Sequence, residues 1–304
     1  MDDSKRLLGY RAGMKKQTPF GPSYHEIIST LEEAALAAGN HIQDAKKRKE
    51  CLSVQVKSDK SLVLNLDVEC QELILAMLAS HSEIPIVAEE TPSSHSLVDS
   101  AESYFLVDPL DGTTSCKRFL YEEGGQVGFG PLIGYVHGGV LSAAVFYSVP
   151  HRTLFSAVRS EGAFKSVYDS TGECLEAHTA LRVSSERSLK EAGMLFFVSP
   201  YGESRIVEHF KNNHVVENIY RFGSFANDSA RLAQGFEQVQ FQLNAKPWDF
   251  SGVLLASEAG CEVYCDPLSR RIPLADWRIE SVNPVVILQR GMRDEFFTVC
   301  DSIQ

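Results

Sequence analysis

Two pairs of carboxylates stand directly after short apolar runs that the sequence predicts to be buried strands. Glu89 and Glu90 follow one run, and Asp108 and Asp111 follow the next. Strand ends commonly border ligand sites, because rigid strands hold the following side chains against a crevice. Two like charges about 4 Å apart repel by roughly 4 kcal/mol at an effective dielectric constant of 20. Converging carboxylates therefore indicate a cation site, and diverging ones would indicate none.

The second pair lies in a segment that also suits a phosphate, Asp108-Pro109-Leu110-Asp111-Gly112-Thr113-Thr114. Carboxylate oxygens favour magnesium, calcium or manganese over zinc, and magnesium often shares its ligands with a substrate phosphate. Gly112 permits a backbone path that brings its own amide and that of Thr113 close to an anion. Asp, Pro and Gly are also the commonest turn residues, so this segment alone favours an ordinary turn.

A further carboxylate, Asp249, stands at the predicted start of a helix after Trp248. Helix capping is the more frequent role of an aspartate at this position. A capping carboxylate can still direct its free oxygen at a cation, so Asp249 is a candidate ligand from the second half of the chain.

The amino-acid composition limits which kinds of binding partner and which cellular compartment are expected. The 304 residues carry a net charge of −11, which disfavours binding to nucleic acid polymers and to anionic membranes. No apolar stretch approaches the length of a membrane-spanning helix. Seven scattered cysteines favour a reducing compartment, and we expect a cytoplasmic protein. Cys261 and Cys265 lack a second ligand pair for zinc and are predicted to be small buried residues.

Periodicity predicts two halves behind a loose leader at residues 1–22. An amphipathic helix begins at Ser23, and consecutive predicted hairpins make the half at 23–183 an α+β unit with an antiparallel sheet. From about residue 184 to 304, helices and strands alternate, which predicts an α/β half. The fold class is thus α+β combined with α/β.

The motifs together resemble those of the inositol monophosphatase family. They are Glu89-Glu90, then Asp108 to Thr114, then Trp248-Asp249 with Glu258-Ala259-Gly260, in the expected order over most of the chain. This resemblance implies a layered αβαβα sandwich of the sugar phosphatase type and a magnesium-dependent, lithium-sensitive phosphatase. It also implies a homodimer.

The resemblance assigns roles to individual residues. The implied metal ligands, for two or three Mg²⁺ ions, are Glu89, Asp108, the Leu110 carbonyl, Asp111 and Asp249. Glu89, Asp111 and Thr113 are the implied catalytic residues, with Thr113 and Glu89 orienting the attacking water. Gly112, Thr113, Thr114 and Gln242 are the implied substrate-binding residues. Asp67 matches an acidic position near a loosely held metal, although capping of a second helix is about as good an account of it.

Three positions bear on the substrate. Cys116 replaces the aromatic residue common in the family, and Gln242 stands where inositol-specific members tend to have glutamate. Lys117 and Arg118 could reach a second anionic group, although exposed basic residues in loops usually do nothing specific. We expect a phosphomonoesterase acting on a small phosphorylated polyol such as inositol 1-phosphate. A 3′(2′),5′-bisphosphate nucleotidase, a histidinol-phosphatase and a non-catalytic metal- or phosphate-binding relative are the alternatives.

Overall fold

The computed structural model describes residues 23–48, 53–56, 62–121, 127–183, 188–197, 205–243, 245–265, 272–273 and 285–303. The predicted leader at 1–22 lies outside the described residues, as do residues 184–187 at the predicted boundary between the halves. The division into those two halves stays a prediction.

The helices in chain order are α1 Ser23–Arg48, α2 Asn65–His81, α3 Leu97–Ser100, α4 Thr113–Tyr121, α5 Arg205–Asn212, α6 Phe225–Ala233, α7 Phe250–Glu258 and α8 Arg293–Asp301. Short 3₁₀ turns occur at Pro92–Ser94, Leu189–Glu191 and Pro247–Asp249. The strands are β1 Val54–Val56, β2 Leu62–Leu64, β3 Ile86–Ala88, β4 Ser103–Asp111, β5 Gly130–His137, β6 Val140–Ser148, β7 Thr153–Val158, β8 Gly162–Tyr168, β9 Cys174–Leu181, β10 Gly193–Phe197, β11 Asn218–Tyr220, β12 Val239–Gln242, β13 Glu262–Cys265, β14 Ile272–Pro273 and β15 Val285–Leu288. Among the described residues, no helix is long and apolar enough to cross a membrane.

The first large sheet has the order β3-β4-β5-β6-β7-β8-β9. Strand β3 pairs in parallel with β4, and every later neighbour pair is antiparallel, as the consecutive hairpins predicted. The pairing of β4 with β5 shifts register between Asp108 and Asp111. Such an irregularity re-aims side chains, and here it falls between two of the predicted site residues.

The second large sheet has the order β11-β10-β12-β15-β13-β14. Strands β11, β10 and β12 are parallel, whereas β15 runs antiparallel to both β12 and β13. The carboxyl ends of the three parallel strands therefore share one edge. The chain leaves that edge at Tyr220 towards α6 and at Gln242 towards the turn that carries Asp249.

Three hydrophobic clusters show how the layers stack. One joins α1 and α2 to the first sheet through residues such as Leu31, Leu66, Phe105 and Ile133. The second lies between the two sheets and contains α6 and α7, with contributions such as Phe225, Leu254, Leu106, Leu195 and Ile287. The third joins the second sheet to α5 and α8 through residues such as Phe241, Phe210 and Phe296. The layer order is α, β, α, β, α, which confirms the predicted sandwich.

Residues that alternate along β4 pack into two different hydrophobic clusters, so this strand is buried on both faces. Tyr104 and Leu106 enter the cluster between the sheets, while Phe105 and Val107 enter the cluster under α1 and α2. A strand buried on both faces reads as a continuous apolar run, which is the pattern seen before Asp108. The carboxylates at its end are consequently fixed by a rigid element.

Two sequence predictions need correction. The segment after Gly112 is a helix, α4, and not merely the end of a turn; its few apolar side chains hid a helical period. Leu64, and not Asp67, is the N-cap of α2, but Asp67 still caps the start of this helix, because its Oδ2 accepts from the Leu64 amide at 2.8 Å. The predicted small buried residues Cys261 and Cys265 are both buried.

Candidate active site

Asp108 and Asp111 end strand β4 deep inside the protein. Their relative exposures are 3% and 7%, and Leu110 between them is 1% exposed. Asp108 Oδ1 accepts a hydrogen bond from the Leu110 amide at 2.9 Å. This local bond closes the turn at the register shift and fixes one of the two Asp108 oxygens.

Asp111 is held by the amino terminus of α6, more than a hundred residues along the chain. Its Oδ2 accepts from Ser224 Oγ at 2.7 Å and from the Ala226 amide at 2.6 Å, and its Oδ1 accepts from the Phe225 amide at 3.1 Å. The first amides of a helix lack partners within the helix and attract negative charge. The start of α6 thus anchors a carboxylate of the first sheet and joins the two parts of the molecule at this point.

Asp249 reaches the same region through the turn Pro247–Asp249, which packs against β4. Trp248 in this turn is buried in the cluster between the sheets and lies against His95, with ring centroids 4.8 Å apart. The Asp249 side chain does not cap α7, contrary to the likelier role inferred from the sequence. Its Oδ2 accepts from the Lys246 amide at 2.7 Å, which leaves α7 uncapped by that side chain.

Glu89 directly follows β3, in a partly buried position. Its amide donates to the Val107 carbonyl at 3.0 Å, so the residue continues the ladder between β3 and β4 and stands beside the end of β4. Glu90 follows in the same turn and is likewise partly buried.

Electrostatics show that the four predicted ligands lie close enough to affect one another. Burial first, and then the charges of Glu89, Asp111 and Asp249, raise the pKa of Asp108 well above its ordinary value. Burial and the charge of Asp111 raise the pKa of Asp249. Burial raises the pKa of Asp111 to about 6, against the opposing effect of its hydrogen bonds with α6. The ionised form of each aspartate is therefore disfavoured unless a cation compensates it.

The donor set fits a hard divalent ion chemically, but the side chains do not form a closed cage. In the part of the chain that the structure describes, no three His, Cys, Asp or Glu residues are arranged to hold a metal ion. The hydrogen bonds explain this arrangement, because both oxygens of Asp111 and one each of Asp108 and Asp249 face protein donors. All the side-chain donors are oxygens and repel one another, which is the chemistry that Mg²⁺ compensates.

Thr113, the first residue of α4, has a different partner from the one expected. Its hydroxyl donates to Asp67 Oδ1 at 3.0 Å and lies 3.3 Å from the Leu110 carbonyl oxygen. Glu89 was the expected companion of Thr113, whereas Asp67 on α2 was expected either near a loosely held metal or as a helix cap. Burial raises the pKa of Asp67 to about 7, so this carboxyl stands close to the range where a proton acceptor works near neutral pH.

The predicted phosphate-binding residues lie at the start of α4. Thr113 and Thr114 are in its first turn, where backbone amides point out of the helix, and Thr114 is exposed. Gly112 has φ +91°, and a Cβ added there would lie 2.9 Å from Phe129 Cβ and 3.0 Å from Ser224 Cβ. Only glycine fits this crowded, left-handed position between β4 and α4.

The substrate positions fall into two groups. Gln242, the last residue of β12, is fully buried; its Nε2 donates to the Leu243 carbonyl, and its Oε1 has no partner among the described residues. Lys117 is partly buried and Arg118 exposed, both on α4. The two basic residues therefore lie on α4, whose first turn holds Thr113 and Thr114, whereas Gln242 is fully buried.

Two contributors were missed from the sequence. Ser224 is not among the predicted site residues, although its hydroxyl donates to Asp111 Oδ2. Asp67 was recognised as a matching position, but its bond with Thr113 was not foreseen. The only sequence signal for either residue was local, whereas both contacts join segments 113 and 46 residues apart.

Comparison with known proteins gives the family. The family model of the inositol monophosphatase family matches residues 23–287. The Nus factor SuhB of Pasteurella multocida is 29% identical over 284 residues, which cover 89% of this chain and 98% of that protein. The inositol monophosphatase of Mesembryanthemum crystallinum is 26% identical over 273 residues, with 86% and 93% covered.

A solved structure supports the architecture independently. The crystal structure of an IMPase/NADP phosphatase complexed with Mg²⁺ and phosphate superposes with a TM-score of 0.70 at 19% identity, over 90% of this chain and 95% of that one. At this identity the likeness concerns the fold. The sandwich, the grouped carboxylates and the family match over residues 23–287 lead to one conclusion: the chain belongs to the inositol monophosphatase family of phosphatases.

Proposed function

We propose that this chain is an Mg²⁺-dependent phosphomonoesterase that hydrolyses a small phosphate ester by direct attack of water. The observation that carries the proposal is the grouping of Asp108, Asp111 and Asp249 beside Glu89, with the pKa of each aspartate raised. Several buried acids without an internal cation are unfavourable in a folded protein unless an external cation binds them.

Glu89, Asp108, the Leu110 carbonyl, Asp111 and Asp249 would hold the ions, two or three in number. When bound, Mg²⁺ would supply positive charge for the phosphate oxygens and for the attacking and leaving oxygens. Asp108 and Asp249 each have one oxygen engaged by a backbone amide, and the other oxygen of each would face the ions. The solved relative that is complexed with Mg²⁺ and phosphate supports this choice of ion.

The residues of the chain then divide the remaining work. The amides at the start of α4, at Thr113 and Thr114, would bind phosphate oxygens, and Gly112 keeps that approach free of a side chain. The Thr113 hydroxyl would hold the attacking water and pass a proton to Asp67, with which it already shares a hydrogen bond. Glu89 would orient the water from the end of the neighbouring strand β3. No covalent intermediate is needed, because phosphoryl transfer depends mainly on positioning and charge.

For the alcohol that hydrolysis releases, we propose a chemical class. A phosphorylated polyol such as inositol 1-phosphate is the substrate we propose, and a bisphosphate nucleotide or histidinol phosphate is the alternative within the same family. Lithium inhibition and a homodimer are part of the same proposal.

A phosphate-release assay tests the proposal directly. Inositol 1-phosphate, adenosine 3′,5′-bisphosphate, histidinol phosphate and fructose 1,6-bisphosphate would each be supplied with Mg²⁺, without Mg²⁺, and with Mg²⁺ plus Li⁺. We expect turnover of at least one ester that requires Mg²⁺ and falls with Li⁺. Turnover without Mg²⁺ would contradict the metal chemistry, and no turnover of any ester would favour a non-catalytic relative that binds metal or phosphate.

A further inference from the structure

Gln71 on α2 lies four residues after Asp67, so both side chains share one face of the helix. Gln71 is 7% exposed, and its amide uses both ends. Its Oε1 accepts from the Glu90 amide at 3.0 Å, and its Nε2 donates to Thr91 Oγ1 at 3.0 Å. A buried side chain from one helix thus holds the turn that follows β3.

That turn carries Glu89. The Glu89 amide is fixed on β4 through Val107, and the next amide, that of Glu90, is fixed on Gln71. The Thr91 amide closes the turn by donating to the Ala88 carbonyl at 3.1 Å. The peptide between Glu89 and Glu90 therefore cannot rotate without breaking the bond with Gln71.

We propose that Gln71 is a positioning residue that sets the direction of Glu89 towards the divalent ion. The inference rests on the proposed function, which makes Glu89 an ion ligand. One face of α2 then positions two segments of the site. Asp67 accepts a hydrogen bond from Thr113 on α4, and Gln71 accepts one from the turn that carries Glu89. Residues that orient a ligand commonly change metal affinity about 10- to 100-fold when they are replaced.

The test compares Gln71→Met, which keeps the size of the side chain and removes both hydrogen bonds, with Gln238→Met. Gln238 is the matched control: it is 1% exposed and its Oε1 accepts from the Gly193 amide at 2.9 Å, on the first residues of β10 and away from the carboxylates. Each substitution leaves one buried backbone amide without its acceptor, so both should lower the melting temperature by similar amounts.

The primary readout is Mn²⁺ binding to the whole protein, followed by electron paramagnetic resonance of the free ion. We expect Gln71→Met to raise the Mn²⁺ dissociation constant about tenfold and Gln238→Met to leave it within about twofold of the original protein. Thr91→Val should give a smaller rise than Gln71→Met, and Thr91→Ser should restore the original value. In assays, the half-saturating Mg²⁺ concentration should rise for Gln71→Met, with kcat recovering at high Mg²⁺.

An unchanged Mn²⁺ affinity in Gln71→Met would overturn the positioning role, and so would an equal loss in Gln238→Met. The proposed function fails in a different way, through absence of Mg²⁺-dependent phosphate release by the original protein. A protein that releases phosphate while Gln71→Met binds Mn²⁺ normally would remove this inference alone.

Discussion

Buried acids are handled differently at the two ends of the layer between the sheets. Glu237, just before β12, is 4% exposed and receives the Arg231 guanidinium, whose Nε donates to Glu237 Oε2 at 2.9 Å. At the other end, no described lysine or arginine forms an ion pair with Asp108, Asp111 or Asp249, although Lys246 lowers the pKa of Asp249 from nearby. The buried acid at the first end is therefore neutralised by an arginine, and the three aspartates at the other end have no described lysine or arginine in an ion pair.

This difference bears on the source of the positive charge that Asp108, Asp111 and Asp249 lack. The fold pairs the buried acid Glu237 with an arginine, whereas no described lysine or arginine forms an ion pair with Asp108, Asp111 or Asp249. The hydrogen bonds that Asp111 receives from α6 stabilise its charge only in part, because burial still raises its pKa to about 6. The external cation that we propose would complete the balance of charge at that end.

The largest effect is expected from Asp108→Asn, which removes charge at the uncompensated end. The amide oxygen can still accept from Leu110, so the fold should remain. We expect kcat/KM to fall by about 10²- to 10³-fold, the usual loss when an electrostatic group is removed from an active site. The melting temperature of the ion-free protein should stay the same or rise, and a collapse of folding together with activity would indicate a structural role.

Thr113→Val removes the hydroxyl that donates to Asp67 while it keeps the shape of the side chain. We expect a loss of about 10²-fold in kcat, within the range for a positioned proton-transfer group. Thr113→Ser should retain most of the activity. Equal losses in the two variants would show that packing, and not the hydroxyl, is the contribution of this residue.

Glu237→Gln should lower stability and leave activity unchanged, which is the opposite of the result expected for Asp108→Asn. The change leaves Arg231 without its carboxylate partner, and we expect a loss of about 1–3 kcal/mol in the free energy of unfolding, since Arg231 is partly exposed. Phosphate release per folded molecule should not change. A drop in specific activity comparable to that of Asp108→Asn would contradict the view that Glu237 is structural and Asp108 is catalytic.

The smallest effect concerns pH. Burial raises the pKa of Asp67 to about 7 and that of Asp111 to about 6, both above the ordinary value of 3.8. The folded protein thus binds protons more tightly than the unfolded chain, and this contribution to stability is full below about pH 4 and is lost as the pH rises to about 7. The melting temperature of the ion-free protein should fall over this window, and saturating Mg²⁺ should reduce the slope. An identical slope with and without Mg²⁺ would place the ion elsewhere.

Local patterns predicted much of the fold. Helix α1 begins at Ser23 as expected, because a capping box depends on residues that are neighbours in sequence. The antiparallel order of β5 to β7 followed from short connections. Strands β8 and β9 and helix α4 escaped prediction, since their polar faces weaken the periodic signal.

The site was predictable as a set of residue types but not as a geometry. The family motifs predict Glu89, Asp108, Asp111 and Asp249 as ligands, and in the structure these residues lie close enough to shift the pKa of Asp108. The clamp of α6 on Asp111 and the bond between Thr113 and Asp67 depend on tertiary packing between distant segments. The spacing of these residues along the sequence also could not predict that the described residues form no closed ligand cage. That outcome depends on which hydrogen-bond donors each carboxylate oxygen faces.

The central claim is that divalent ions complete the balance of charge among these four carboxylates. A crystal structure of the protein grown with Mn²⁺ and phosphate, with anomalous diffraction recorded at the manganese edge, tests it most directly. We predict anomalous peaks bounded by Glu89, Asp108, Asp111 and Asp249, with phosphate at the start of α4. Phosphate-bound crystals without a manganese peak among these residues would contradict the account.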